Sequence, residues 1–202
     1  MHVLLVNGSP HEKGCTYTAL MEVAGALEAE GVGTELFQLG KKPVRGCVAC
    51  GGCGRNGRCV FDDDVCNRLI DRMQAADGLI VGSPVYYAGP NGALCAVLDR
   101  AFYAGGAPMA HKPAAAVVSC RRGGASATFD RLNKYFTIGQ MPVVSSQYWN
   151  SVHGNTPDQV RQDLEGLQTM RTLGRNMAWM LKALAGVQPP ETEPPIRTNF
   201  IR

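Results

Sequence analysis

Four of the chain's eight cysteines lie close together in residues 45–64. They follow a C-x2-C-x2-C-x5-C pattern, and the residues between the first three are small. Three thiolates two residues apart can wrap three corners of a cubane, as in the C-x2-C-x2-C-x3-C run of bacterial ferredoxins, and a Gly-rich turn can return a fourth. The pattern therefore predicts a 4Fe–4S cluster, with four ligands: Cys47, Cys50, Cys53 and Cys59.

Other interpretations of the same cysteines stay open. Structural zinc usually takes two C-x2-C pairs that are well separated, so one compact segment suits zinc poorly. A disulfide from Cys53 to Cys50 or Cys59 would be labile in a reducing cytosol. The segment could also persist without metal, its glycines and cysteines simply packing. Three further cysteines are predicted to pack rather than to ligate: Cys66, Cys95 and Cys120.

The elements that position this segment follow from the hydrophobic pattern. Short apolar runs alternate with helical patterns, which is typical of βαβ units and a parallel sheet. Strands are predicted at 2–8, 34–39, 78–84, 114–120 and 142–149, and helices at 16–30, 63–76, from about 91, 125–137 and 157–185. Ligands of such doubly wound sheets bind beyond the carboxyl ends of the strands. The loops to consider are 8–16, 83–91 and 119–126.

Bulk properties limit the classes of protein to consider. A chain of 202 residues suits one domain, here residues 1–187, followed by an extended Pro-rich tail at 188–202. The net charge of +3 and the scattered basic residues argue against nucleic acid as a partner. No apolar run approaches the ~18 residues of a membrane span, and the N-terminus lacks the features of a signal peptide. These properties predict a cytoplasmic protein.

The first loop, GSPHEKGCTYT, joins a predicted strand to a predicted helix. Free N–H groups at the helix start, with the hydroxyls of Ser9, Thr16 and Thr18, would make an anion cradle. His11 and Lys13 could add positive charge. The loop has neither the nucleoside-triphosphate motif nor G-x-G-x-x-G, so a phosphate monoester such as that of FMN fits better. The alternative is an ordinary helix start with Thr16 as its N-cap.

The second loop, GSPVYYAGPNGALCAVLDR, places two tyrosines at the edge of the sheet. A flavin needs flat apolar neighbours and backbone amides at its pyrimidine edge. Tyr86 and Tyr87 could supply the former and the backbone of 84–89 the latter. Alternatively, one tyrosine lies in the core and the other at a subunit contact.

These two loops, as NGSPHEKGCTYTAL and GSPVYYAGPNGALCAVLDR, resemble the flavodoxin-like NAD(P)H-dependent FMN reductase family. Its members typically carry GSPR-x-x-G-N-T and SPVY-[FW]-x-x-x-SG-x-LK-x-x-x-DR. With the cysteine segment between the loops, the chain resembles the iron–sulfur flavoprotein branch, in which the four cysteines are the cluster ligands. The resemblance covers residues 1 to about 185. It implies a flavodoxin-like α/β fold, a three-layer α/β/α arrangement around a doubly wound five-stranded parallel sheet of order 2-1-3-4-5.

The resemblance also implies an FMN site. Its phosphate would be held by Ser9, His11, Cys15, Thr16 and Thr18. Its ring would be bordered by Pro84, Val85, Tyr86, Tyr87, Ser119, Arg121, Arg122, Gly123 and Gly124. Three residues depart from the family pattern, namely His11 for Arg, Cys15 for Asn and Cys95 for Lys. The first two weaken side-chain contacts to phosphate, so backbone N–H groups, hydroxyls and the arginines at 121 and 122 must compensate.

The implied activity is electron transfer from NAD(P)H, or from ferredoxin, through FMN and the cluster to a quinone-like or other small acceptor. Hydride transfer to FMN needs no acid or base from the protein, so no catalytic side chain is predicted. Candidates for substrate contact are Tyr86, Tyr87, Arg121 and His153. A homodimer or homotetramer is expected. The alternatives are a cluster-free NAD(P)H:FMN or quinone reductase, a ferredoxin-linked electron carrier, and a thiol- or metal-based sensor.

Overall fold

A computed structural model describes residues 1–191, 193, 194, 196, 198 and 200. The strands of the described residues are β1 His2–Asn7, β2 Gly33–Gln38, β3 Gly78–Tyr86, β4 Gly89–Pro90, β5 Ala114–Cys120 and β6 Ser151–His153. Their α-helices are α1 Cys15–Ala29, α2 Cys66–Ala75, α3 Gly92–Gly105, α4 Ala125–Ile138, α5 Pro157–Gln162 and α6 Leu164–Leu184. The predicted tail at 188–202 falls in part outside the described residues.

The strands form one sheet whose parallel members lie in the order β2-β1-β3-β5-β6. This is the predicted order 2-1-3-4-5, and the doubly wound fold is confirmed. The sixth strand, β4, is a two-residue addition that pairs antiparallel with the end of β3. It belongs to a hairpin that the sequence pattern did not indicate.

Apolar side chains on both faces of the sheet explain the three layers. In β1, Leu4 and Val6 pack in the core shared with α2, α3 and α4, whereas Val3 and Leu5 pack in the core shared with α1 and α6. Successive side chains of a strand point to opposite faces, so a continuous apolar strand must be covered on both sides. No helix among the described residues has the length and apolar character needed to cross a bilayer.

The last predicted strand, 142–149, is not a continuous strand. Its start meets β5 in an isolated bridge, and the chain then leaves the sheet and returns only at β6. The hydroxyl of Ser146 donates to the Tyr148 carbonyl at 2.6 Å, and the amide of Asn150 donates to a carbonyl of β5 at 3.1 Å. Such local side-chain bonds compete with the ladder. As a result, the Tyr148 and Trp149 side chains lie on the surface.

The long predicted helix at 157–185 is two helices, α5 and α6, that meet at Asp163. The Asp163 carboxylate accepts hydrogen bonds from the N–H of Gly166 at 2.9 Å and from the N–H of His153 at 2.7 Å. It therefore caps α6 and ties its start to the end of β6. The break is thus an N-cap inside an otherwise helical pattern.

Candidate active site

The predicted ligand loops meet at the carboxyl ends of β1, β3 and β5. The N–H of Gly8 donates to the carbonyl of Gly82 at 2.9 Å, and Pro84 lies opposite Ser119 in the register of β3 and β5. The Thr16 and Ser119 hydroxyl oxygens are 2.8 Å apart, and both residues are buried. The chain segments at the ends of these three strands therefore lie next to one another at the same edge of the sheet.

The loop after β1 is held in shape by its own polar groups. The N–H of Ser9 donates to the Asn7 side chain at 3.1 Å, and the N–H of His11 donates to the Ser9 hydroxyl oxygen at 3.1 Å. From β2, the Gln38 amide donates to the Ser9 carbonyl at 2.7 Å. The buried Ser9 side chain thus shapes the loop, whereas the His11 side chain is exposed.

Helix α1 begins without a side-chain cap. Its N-cap is Gly14, and no side chain of the described residues accepts a bond from the first turn. The alternative that Thr16 is the N-cap is wrong, because its hydroxyl bonds with Ser119 instead, while the Thr18 hydroxyl donates to the Gly14 carbonyl at 3.2 Å. An uncapped first turn presents N–H groups and the positive end of the helix dipole, which together favour an anion.

Cys15 lies at the first helical position, beside these N–H groups. The Cys15 thiol is half-buried, and its sulfur lies 3.7 Å from the Gly154 carbonyl oxygen. Burial raises the pKa of this thiol, so it stays uncharged near neutral pH. A neutral thiol does not repel an anion bound at the helix start.

A strained turn presents the aromatic pair. Tyr87 and Ala88 join β3 to β4 in a two-residue hairpin loop, and both have positive φ, 50° and 57°. Such turns prefer Asn and Gly, and each non-glycine residue in this region costs about 1–2 kcal/mol. Tyr87 is fully exposed and Tyr86 about half exposed. Neither ring lies in the core, so both are accessible at the edge of the sheet. Strain of this kind is often found at ligand sites.

Gly124 fixes the loop after β5 against this turn. Its φ is 89°, and a Cβ there would lie 2.7 Å from the Ala88 Cα and 2.9 Å from a Val85 methyl carbon. Only glycine allows this close approach. The side chains of Arg121 and Arg122 on the same loop are exposed, so their guanidinium groups are accessible to a ligand.

Asn91 joins two of the loops, and sequence reasoning did not include it among the site residues. Its buried amide donates to the Gly8 carbonyl at 2.8 Å, and its N–H donates to the Ser83 hydroxyl oxygen at 3.0 Å. Its side-chain oxygen also caps α3 at the N–H of Ala93, at 2.9 Å. An Asn directly before a helical pattern is the signal that could have found it.

His153 ends β6, and its imidazole is half exposed. Its Nδ1 lies 3.6 Å from a carboxylate oxygen of Asp163. The side chain thus lies beside the carboxylate that caps α6, and its backbone lies opposite Cys120 at the end of β5.

The cysteine segment, residues 45–64, lies against the outer flank of α3. The four cysteines predicted to be ligands line one small cavity of about 20 Å³, together with the Arg100 and Tyr103 side chains. All eight cysteines, which are all among the described residues, are free thiols. No group of three or more potential ligand side chains among the described residues is arranged to hold a metal ion. The thiols therefore share a cavity without forming a preassembled site for a single ion.

Arg100 anchors the cysteine segment to α3. Its side chain is 1% exposed and forms an ion pair with Asp64, whose side chain is 5% exposed. Its guanidinium also donates to the Cys59 sulfur at 3.2 Å and to the carbonyls of Phe61 and Arg45, each at 3.2 Å. A permanent positive charge thus lies at the wall of the cavity. In the sequence this arginine ends the second loop motif, which does not indicate that its side chain is buried.

Charge pairing determines the protonation of this anchor. Burial lowers the pKa of Arg100, but its hydrogen bonds to Asp64 and Cys59, together with the neighbouring negative charge, outweigh burial and leave the pKa raised. Burial raises the pKa of Asp64, but the hydrogen bond and charge of Arg100, together with backbone hydrogen bonds, outweigh burial and leave that pKa lowered. Both groups therefore stay charged at neutral pH.

The two candidate regions are separated along α3. Asn91 caps the helix at the loops beyond the sheet, whereas Arg100 lies roughly 13 Å further along the helix at a rise of ~1.5 Å per residue. The cysteine cavity thus lies on the flank of the domain and not at the ends of the strands.

The other cysteines pack as predicted. Cys66 is fully buried, and burial raises the pKa of its thiol to about 12. Cys120 is buried and Cys95 half-buried, and burial raises the pKa of both thiols. None of these three lines the cavity of the cysteine segment.

Comparisons with known proteins agree with this geometry. Residues 1–156 match the sequence model of the family described as NADPH-dependent FMN reductase. An iron–sulfur flavoprotein of Methanocaldococcus jannaschii is 33% identical over 192 residues, covering 91% of this chain and 99% of that protein. The structure of an NAD(P)H:quinone oxidoreductase from Methanothermobacter marburgensis superimposes with a TM-score of 0.66 at 19% identity, covering 88% of this chain and 96% of that chain. A flavodoxin from the domain Archaea gives a TM-score of 0.62 at 15% identity, covering 90% and 99%.

The two structural likenesses show a flavodoxin-like fold, and the family match extends beyond the fold to sequence. It includes all three loops that meet at the strand ends and the whole cysteine segment. The resemblance inferred from the two loop motifs is therefore confirmed. The chain belongs to the NADPH-dependent FMN reductase family and is a flavin-dependent oxidoreductase that uses FMN.

Proposed function

We propose that this chain takes electrons from NAD(P)H through FMN to a 4Fe–4S cluster on the cysteine segment, and from there to a small quinone-like acceptor. The observation that carries the proposal is that four thiols at ferredoxin-like spacing line one cavity. The iron–sulfur flavoprotein name of the M. jannaschii relative supports the cluster. The name of the M. marburgensis enzyme supports a quinone as acceptor.

In this proposal the FMN phosphate lies at the uncapped start of α1. The N–H groups of Cys15 and Thr16 point out of the first turn, and the Ser9 and Thr18 hydroxyls lie beside it. The exposed imidazole of His11 adds a donor at the rim. Because the loop bonds already use the N–H groups of Ser9 and His11, the phosphate would take its backbone bonds from α1.

The FMN ring would lie against the strained hairpin. Pro84, Val85 and Tyr86 end β3, and Tyr87 extends beyond it. Ser119 at the end of β5 and Gly123 and Gly124 in the following loop would border the ring, with Arg121 or Arg122 at its pyrimidine edge. FMN in this position would accept a hydride from NAD(P)H and release the electrons one at a time. A guanidinium near the pyrimidine edge would stabilise the negative charge of reduced flavin.

The cluster would be held by Cys47, Cys50, Cys53 and Cys59. Two of these thiols, Cys47 and Cys50, are exposed, so the segment is open enough to take up a cluster. A bound cluster would relay single electrons. Arg100 would keep its charge beside the Cys59 sulfur and offset the negative charge of four thiolates.

A homodimer or homotetramer is also part of the proposal. The fully exposed Tyr87 ring and the open loops beyond the sheet would leave one face of the flavin uncovered in a single chain. A neighbouring chain would cover that face.

Stopped-flow mixing under anaerobic conditions tests the proposed direction of electron flow. The FMN-loaded protein is mixed in parallel with NADPH, NADH and reduced ferredoxin, while bleaching of the flavin band is followed. We expect a nicotinamide to reduce the flavin faster than ferredoxin does. Faster reduction by ferredoxin would replace the reductase proposal with that of a ferredoxin-linked carrier.

Serine substitution of Cys53 tests the cluster separately. The C53S variant should bind FMN like the parent but lose iron, sulfide and the broad iron–sulfur absorbance. The matched control is Cys95→Ser, since Cys95 lies away from the cavity. Full iron content in the Cys53 variant would refute the ligand assignment.

A further inference from the structure

A second cavity adjoins the cysteine segment on the side away from the FMN loops. It has a volume of about 760 Å³ and lies between the second half of α3, the turn at 107–110 and the end of α4. Phe102, Tyr103 and Ile138 line its walls. The exposed fractions of the Tyr103 and Ile138 side chains are 73% and 85%. This is a groove of the size that takes small molecules, ~300–1,000 Å³.

The groove is adjacent to the cavity of the four cysteines. Cys47 and Tyr103 line both. A molecule in the groove would therefore contact the Cys47 side chain directly. At this position it would also lie next to any cluster held by the segment.

The groove carries no net charge. Asp99 is the only carboxylate among the described residues that line it, and the Asp99 carboxylate is paired with Arg131 at 3.2 Å and with the Tyr135 hydroxyl. Burial, and then the bond to Asp99, raise the pKa of Tyr135, so the phenol stays neutral. Within the part of the chain that the structure describes, no lysine, arginine or histidine lines the groove. A nucleotide phosphate would find no cation among these lining residues, whereas an uncharged molecule would bind without an electrostatic penalty.

Two exposed side chains bring polar groups to the groove, the hydroxyl of Tyr103 and the amide of Gln140. The Gln140 side chain lies at the rim. Its amide can donate to a carbonyl oxygen. Flat apolar walls with a hydroxyl and an amide as donors suit a neutral planar molecule that carries carbonyl groups.

We propose that this groove binds the electron acceptor, a planar uncharged quinone, beside Cys47 and away from the flavin face. This inference rests on the proposed function. In the overall reaction, NAD(P)H gives two electrons and one proton as a hydride, and solvent gives a second proton. The quinone is thereby reduced to a hydroquinone and NAD(P)H is oxidised to NAD(P)⁺. The hydride enters at the FMN loops, and the electrons leave at the cysteine segment.

Duroquinone is a suitable probe, because its ring is fully methylated and cannot add a thiol. Its Kd is measured by equilibrium dialysis with the oxidised holoprotein, and its KM is measured in anaerobic turnover with NADPH. Two variants alter the groove at exposed positions, Ile138→Glu and Tyr103→Ala. The matched control is Leu164→Glu, since Leu164 is 75% exposed on α6.

We expect the Kd and KM for duroquinone to rise at least tenfold in Ile138→Glu, which places a charge in an uncharged groove, and about tenfold in Tyr103→Ala, which removes an aromatic wall. Reduction of the flavin by NADPH should keep its rate in both variants. Leu164→Glu should match the parent in every measurement.

An unchanged duroquinone Kd in both groove variants would overturn the inference. So would sedimentation showing that Ile138→Glu dissociates an assembly while the Kd stays the same, because the groove would then be a subunit contact. If NADPH fails to reduce the flavin, the proposed function fails. Dialysis with the oxidised protein still decides whether duroquinone binds in the groove.

Discussion

Replacing Arg100 with methionine tests how the cysteine segment is attached to the domain. The substitution keeps the length and apolar character of the buried stem but removes the guanidinium. Asp64, whose side chain is 5% exposed, then has no counterion. The carbonyls of Phe61 and Arg45 and the Cys59 sulfur each lose a donor.

The magnitude follows from the buried ion pair. Breaking such a pair by removing one partner costs about 3–5 kcal/mol, because an uncompensated charge stays buried. Each lost hydrogen bond to a carbonyl adds about 1 kcal/mol to this cost if water cannot reach that carbonyl in the variant. We therefore expect the free energy of unfolding at pH 7 to fall by about 4 kcal/mol. The double variant Arg100→Met/Asp64→Asn, which removes the charge as well, should recover about 2 kcal/mol.

The pH dependence gives a second test. In the parent protein the pKa of Asp64 lies below its ordinary value of 3.8, so its contribution is fully present above that value and is lost as the pH falls through the folded pKa. In Arg100→Met, burial without the cation raises the pKa of Asp64, and protonation then stabilises the folded state. The difference in the free energy of unfolding between parent and variant should therefore become smaller as the pH falls from 7 to about 4.

Urea unfolding followed by far-ultraviolet circular dichroism measures both effects. Excess FMN is present throughout, so that ligand binding stabilises both proteins to a similar extent. Tryptophan fluorescence is a poorer signal, because Trp149 and Trp179 are already more than half exposed. A loss below ~1 kcal/mol at pH 7, or pH profiles of parent and variant that stay parallel, would refute the assigned role of the ion pair.

Three further predictions concern the site loops and the thiols. Gly124→Ala should raise the Kd for FMN at least tenfold, because the added Cβ meets the Ala88 backbone at 2.7 Å; a Kd equal to the parent's, by fluorescence titration, would contradict this. Ala88→Gly should raise the free energy of unfolding by about 0.5–1 kcal/mol, since it relieves a positive φ; no gain in urea would show that the turn is unstrained. After iron is removed with a chelator, iodoacetamide at pH 7 should modify the exposed Cys47 and Cys50 first and leave Cys66, whose pKa is about 12, unmodified until unfolding. Peptide mass spectrometry that found Cys66 modified in the folded protein would contradict that order.

The sequence was sufficient to predict most strands and helices, because these elements depend on local patterns. Continuous apolar runs such as 2–7 mark strands that are covered on both faces, and helical spacing marked α1 and α4 within a residue or two. The predicted ligand loops do meet at one edge of the sheet, since the rule for doubly wound sheets fixes where strands end. The four cysteines share a cavity, as their spacing suggested.

What the sequence did not disclose depends on long-range contacts. Arg100 is buried only because Asp64, far away in sequence, folds against α3. The available signal for this burial was the position of Arg100 in the sequence, next to the apolar stripe of α3. The hairpin at Tyr87 was missed because its positive φ values contradict the preferences of its residues. The irregular segment before β6 was missed because the bonds of Ser146 and Asn150 interrupt a run that looks like a strand.

Iron, sulfide and flavin analysis of the anaerobically purified protein, together with its visible spectrum, tests the central claim most directly. The account predicts about one FMN with about four iron and four sulfide per chain, and flavin bands on a broad iron–sulfur shoulder. Flavin without iron or sulfide would contradict the claim that Cys47, Cys50, Cys53 and Cys59 hold a cluster.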